Sequence, residues 1–180
     1  MGSFNTFGRT EKSYGTGKNI WHYVENKFPV GGKVSNLGSF PLNTVIPSGS
    51  MAIFDSVTGE TKVLKGLDDF STAKTYKVND KVMYNGVAYK CSTAVSSAGS
   101  WTGDTNWTAL AAGDSDYDDM AKVNGLLEDD IMVDEASKST NGAATARVVY
   151  KGLIYSSRLE RQVPKMVWDN LTEIKQFKEA

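Results

Sequence analysis

Short apolar runs punctuated by turn residues mark the chain from Pro41 to Gly66: Thr44-Val45-Ile46, then Met51-Ala52-Ile53-Phe54, a turn over Asp55 to Gly59, and Thr61 to Leu64. Such runs of β-branched and aromatic residues between turn signals predict a β-hairpin. The same style resumes from Gly125 to Tyr155, with Ile131-Met132-Val133, Ala144 to Tyr150, Lys151-Gly152 and Leu153 to Tyr155. Read as a two-residue loop, Lys151-Gly152 sets Tyr150 opposite Leu153, Val149 opposite Ile154 and Val148 opposite Tyr155. Both faces of that ribbon are then apolar, which places it inside a sandwich or an interface. From Val163 the pattern changes. Pro164 suits a first helical position, and Val167, Leu171 and Ile174 recur at helical spacing, which predicts one short helix; Glu173 to Phe177 reads equally as a closing strand.

Residues 70–110 differ from both flanks. In the run Lys81 to Cys91, Asn85-Gly86 stands between alternating strands, and a type I′ turn needs positive φ at both central residues. The register follows: Tyr84 pairs with Val87, Val82 with Tyr89 and Met83 with Ala88. Two tyrosines and two valines then share one face, and Met83 and Ala88 the other. Tyr76, Trp101 and Trp107 flank the hairpin, so the segment reads as a separately folding insert whose removal leaves the flanking strands to continue each other. Its return linker, Ala111 to Asp119, is small and acidic, as suits a flexible exit.

Residues 1–38 are glycine-rich and polar, with no sustained helical or strand period, and read as an extended arm. They carry Phe4, Phe7, Tyr14, Ile20, Trp21, Tyr23 and Phe28. That is too aromatic for a solvated linker, so something must cover the rings. Either the arm folds onto this chain's own core as an N-terminal strand, or it docks on another subunit, with Trp21, Tyr23 and Phe28 as the contact candidates. The predicted architecture is mainly β: a small β-sandwich or barrel-like base domain split between residues 39–69 and 112–180, an inserted small β module at 70–111, the arm, and one short C-terminal helix.

At 180 residues the chain is long enough to bury a core. Its 17 glycines and 4 prolines suit short strands and tight turns. Twenty basic side chains against twenty-one acidic ones give a formal charge of -1, which argues against nucleic acid or an anionic membrane as partner. No apolar stretch approaches the roughly 20 residues of a membrane span, and the N-terminus lacks the blocks of a signal peptide, so the chain is expected to stay in solution.

Catalytic chemistry finds little support. His22, the single histidine, has no local Ser, Cys or Asp constellation and reads as a bystander. Cys91, the single cysteine, reads as a small apolar strand residue, and one His with one Cys cannot make a structural zinc site. Gly15-Thr16-Gly17-Lys18 resembles the end of a phosphate loop, but Lys12 stands where its first glycine belongs and Asn19 where its Ser or Thr belongs. Asp114, Asp116 and Asp118 alternate as in a calcium loop, yet Asp119 replaces the turn glycine and Gly125 the closing glutamate. The chain is expected to bind and assemble, with no catalytic residue, cofactor or metal.

The run Tyr76 to Val82, then Tyr84-Asn85-Gly86-Val87-Ala88-Tyr89-Lys90-Cys91, then Asn106-Trp107-Thr108-Ala109-Leu110, resembles the small chitin-binding-type carbohydrate-binding modules of glycosidases and phage appendages. The resemblance implies that the tyrosines and Trp107 are scaffold and that Trp101, in the loop before the closing Trp, is the exposed ring that stacks on sugar. Phe70 stands near the place of the family's opening Trp, Asn79-Asp80 replaces its Gly-Asp, and one displayed tryptophan replaces a pair; these departures point away from chitin itself. A glycan, another protein, or a ligand-free spacer role all fit such a knob.

The flanks carry a second resemblance. Phe40 to Gly49, Val123 to Val133, Ala143 to Ile154 and Leu171 to Phe177, in that order, resemble phage head-fibre and capsid-decoration proteins. This implies a homotrimer on the outside of a virion head, bound to the major capsid protein, with the insert displayed toward host-surface glycans. The alternative is a free, oligomeric, lectin-like carbohydrate-binding protein.

Overall fold

The structure, a computed structural model, describes residues 19–28, 32–138 and 144–177. It is mainly β, with curled sheets forming a half-barrel. In chain order the strands are β1 (Trp21–Lys27), β2 (Gly32–Val34), β3 (Thr44–Ile46), β4 (Met51–Asp55), β5 (Glu60–Val63), β6 (Lys81–Tyr84), β7 (Val87–Cys91), β8 (Trp107–Ala109), β9 (Gly125–Leu127), β10 (Ile131–Val133), β11 (Thr145–Ala146), β12 (Val148–Tyr155) and β13 (Ile174–Phe177). The helices are α1 (Ser115–Met120), α2 (Glu135–Lys138) and α3 (Lys165–Asn170). The main sheet runs β1-β12-β9-β4-β5-β2-β11, with β13 parallel to β12. Strands β3 and β10 form a ribbon, and β6-β7-β8 form a third sheet.

Strand alternation divides the interior between the two faces of the main sheet. Met51, Leu126 and Val149 point to one side, joined by Ile154 across the register shifts of the β1–β12 pairing, and their neighbours Ala52, Leu127 and Val148 point to the other. Each side needs a cover. Ile46, Ile131 and Val133 of the ribbon, with Leu37 and Phe40, cover the second side. The first is covered by Met120, Val123, Val167 and Leu171, and also by Met83, Ala88 and Leu110 from the insert.

The hairpin predicted over Met51 to Leu64 is present as β4 and β5, with Ala52 opposite Val63 and Asp55 opposite Glu60. The tail satisfies both of its readings in succession, with α3 following Pro164 and β13 closing beside β12.

Three expectations need correction. First, Lys151-Gly152 is not a turn; it lies within the unbroken strand β12. Glycine is required there by close approach, because a Cβ on Gly152 would stand 2.6 Å from the Tyr23 carbonyl oxygen of β1. Second, the arm reading fails for its described part: β1 pairs with β12 and β2 with β5. Trp21 is 7% exposed in this chain's own core and donates its indole N–H to the Leu127 carbonyl at 3.1 Å. The own-core alternative therefore holds for Trp21. Phe4, Phe7, Tyr14 and the Gly15 to Lys18 segment lie outside the described residues.

Third, the exit from the insert is not a flexible linker. Residues 115–120 form α1, and the Asp114 side chain caps it by accepting from the Asp116 N–H at 3.1 Å. Lys81 of β6 reaches Asp114 and Asp116, both at 2.8 Å, and ties the insert to this cap. Arg161 bonds the Gly66 carbonyl at 2.8 Å and also reaches Asp68 on the entry side. The Lys165 N–H, at the start of α3, donates to the Gly86 carbonyl at 2.8 Å and holds the hairpin tip.

Asp114→Ala is expected to cost about 1–2 kcal/mol, from the cap and the ion pair together. The Lys81 ammonium holds the Asp114 carboxyl below its ordinary value. A lowered folded value means that this stabilisation is complete above the unfolded value of about 3.9 and is lost as pH falls through the folded one. Thermal melts of wild type and variant should therefore differ at pH 7 and converge as the pH is taken well below 4.

Candidate functional site

The insert is built on the hairpin β6–β7. Asn85 at φ 49° and Gly86 at φ 77° supply the two positive angles of the turn. The pairs are Tyr84 with Val87, Met83 with Ala88 and Val82 with Tyr89, the register expected from sequence. Strand β8 adds to the other edge of β7, setting Trp107 opposite Cys91. Met83 and Ala88 face the main sheet, and the opposite face carries the insert's own core of Tyr76, Val82, Cys91 and Trp107. One hairpin thus joins two cores.

Trp107 is 1% exposed, the scaffold position the resemblance implied. Its indole N–H is buried without a hydrogen-bond partner among the described residues. Such an orphan costs about 1–3 kcal/mol, so the ring is held by packing: Tyr76 lies edge-on at 5.0 Å and Phe70 at 5.7 Å. The Tyr76 hydroxyl accepts from the Ser71 N–H at 2.7 Å and fixes the loop that brings in Phe70. Cys91 is fully buried, and burial pushes its thiol pKa up, as befits a core residue.

Trp101 is half-buried rather than displayed freely in its loop. Tyr84 stacks on it at 4.1 Å with 10° between planes, and Trp107 at 4.9 Å with 18°. Tyr89 and Phe70 approach edge-on at 4.9 and 5.1 Å. The two stacking rings belong to opposite ends of the small sheet, so Trp101 is the middle of a stack whose outward member is Tyr84. Sequence reasoning assigned Tyr84 to the right face of the hairpin but missed this stacking, because the conformation of the loop carrying Trp101 leaves no periodic trace. Val87, 39% exposed, extends the same face.

The cations of the hairpin lie on the other side. Lys81 is paired with Asp114 and Asp116, and Lys90 stands 3.9 Å from Asp114. Asp114 and Asp116 serve the helix cap and these ion pairs, and Asp118 accepts the Gly113 N–H at 3.1 Å. Among the described residues, no group of three or more His, Cys, Asp or Glu side chains is placed to hold a metal.

The three arm candidates separate. Trp21 is internal. Phe28 is half-buried, stacked on Phe54 at 4.4 Å and tilted against Tyr150 at 4.9 Å. Tyr23 alone is open, at 58% exposure.

No curated protein and no solved structure matches this chain. A family model does match one part of it: residues 69–110, the segment that holds the hairpin and the aromatic stack, match carbohydrate-binding module family 5/12.

Proposed function

We propose that the chain is a non-catalytic binding protein whose 69–110 module contacts an uncharged polysaccharide through Tyr84 and the open part of Trp101. The observation that carries this reading is the parallel Tyr84–Trp101 pair on the hairpin face turned away from the main sheet. Flat, rigid, half-open rings suit the C–H face of a pyranose, and the phenol adds a hydrogen-bonding handle. The cations point away from that face, which supports a neutral ligand. In a glycan array probed with the full chain, Tyr84→Ala is expected to weaken binding by several-fold to about tenfold, roughly 1 kcal/mol. Its thermal midpoint should shift only modestly. Wild type that binds no glycan, or a variant that binds as wild type does, sinks the reading.

The resemblance of the flanking segments to head-fibre and decoration proteins supports a finer one. In it the base attaches to the major capsid protein on the exterior of a phage head as a homotrimer, and the module meets host-surface glycans. Sedimentation of the purified chain, alone and with capsids, tests this. A trimer that co-sediments with capsids is the expected result. A chain that neither trimerises nor co-sediments leaves the free lectin-like alternative.

A further inference from the structure

We infer that the base carries a second saccharide-binding platform, formed by His22, Tyr23, Tyr155 and Phe177 with Arg158 at its rim, independent of the insert. The side chains come from β1, β12, β13 and the turn after β12; His22, Tyr155, Phe177 and Arg158 lock one another, and Tyr23, opposite Leu153, stands on the same face of β12 as Tyr155. The Tyr155 hydroxyl is 2.6 Å from His22 Nδ1. His22 and Phe177 are nearly parallel, 11° apart with ring centres at 5.9 Å. Tyr155 stands at right angles to both, with centres at 5.4 and 5.3 Å. The Arg158 guanidinium lies 4.0 Å over the Tyr155 ring and donates to the Asn19 carbonyl. Tyr23 and Phe177 remain 58% and 43% exposed.

Size and charge define the ligand. With rings of roughly 200 Å² each, those exposures leave about 200 Å² of aromatic surface open. A stable protein interface needs about 800 Å² per partner, so the platform is too small for one but matches one or two sugar rings. An organic cation is disfavoured, because a guanidinium already occupies the face of Tyr155. A saccharide uses all that is present: its C–H face lies on the open rings, and its hydroxyls meet the His22–Tyr155 pair and Arg158. Ile154 points into the core behind the insert while the adjacent Tyr155 points the opposite way. The platform therefore opens on the other side of the main sheet from the insert.

The test uses the whole chain carrying Tyr84→Ala, which weakens the proposed insert site, titrated calorimetrically with the hexasaccharides of β-1,4-glucose, β-1,4-N-acetylglucosamine and α-1,4-glucose. At least one probe is expected to bind the Tyr84→Ala chain. Adding Phe177→Ala should weaken that binding at least tenfold, and Phe177→Tyr should retain it. Sedimentation should show the same oligomeric state in all three. The proposal is overturned if no probe binds the Tyr84→Ala chain, if Phe177→Ala leaves binding unchanged, or if Phe177→Ala alters only self-association. The insert reading is judged separately, by wild type against Tyr84→Ala.

Discussion

Removing residues 71–110 and joining the flanks with a short linker is expected to yield a chain that no longer unfolds cooperatively at room temperature. The flanking strands do continue each other, as sequence suggests, since β4 and β5 pair without the insert and β9 pairs with β4. What the deletion removes is the cover. Met83, Ala88 and Leu110 are buried in the same core as Met120, Val123 and Val167. Their burial stabilises by on the order of 5 kcal/mol, comparable with a whole domain's stability of about 5–15 kcal/mol. The Lys81 ties to Asp114 and Asp116 vanish as well, together with the Gly86 carbonyl that takes the Lys165 N–H. Near-ultraviolet circular dichroism and binding of a hydrophobic dye should report lost packing and an uncovered sheet face. A deletion chain melting at the wild-type temperature would show that the insert is a free knob.

Trp107→Ala is the second large effect, expected to cost about 3–5 kcal/mol by emptying the centre of the insert's core. Trp107→Phe keeps an aromatic body and removes an N–H that has no partner, so it should cost distinctly less. Trp101→Ala should fall between the two, near 2 kcal/mol, because a half-buried ring with stacked neighbours loses packing as well as any sugar contact. Denaturant midpoints of the three variants give the ranking. If Trp101→Ala proved neutral, the stack would be incidental and Trp101 a ring displayed for ligand alone.

The His22 side chain shows where local reading stopped. Nothing within several residues of it suggests a role, and its partners Tyr155 and Phe177 lie more than 130 positions away. Only the pairing of β12 with both β1 and β13 brings the three rings together.

By itself the sequence determined whatever depends on neighbours along the chain. The Asn85-Gly86 turn and the full register of β6 with β7 follow from the φ demands of a type I′ turn and from a side-chain period of two. The β4–β5 hairpin was legible in the same way, whereas the scaffold place of Trp107 came from the family resemblance. The tertiary structure decided what depends on distant surfaces. Gly152 reads as a turn residue until β1 is seen lying against its Cα. Trp21 reads as an arm ring until the Leu127 carbonyl is seen to take its N–H. Met83 and Ala88 read only as sharing the second face of the insert's hairpin, yet they close the main core. Hydrophobic periodicity tells which residues share a face, and only the folded chain tells which other surface that face is buried against.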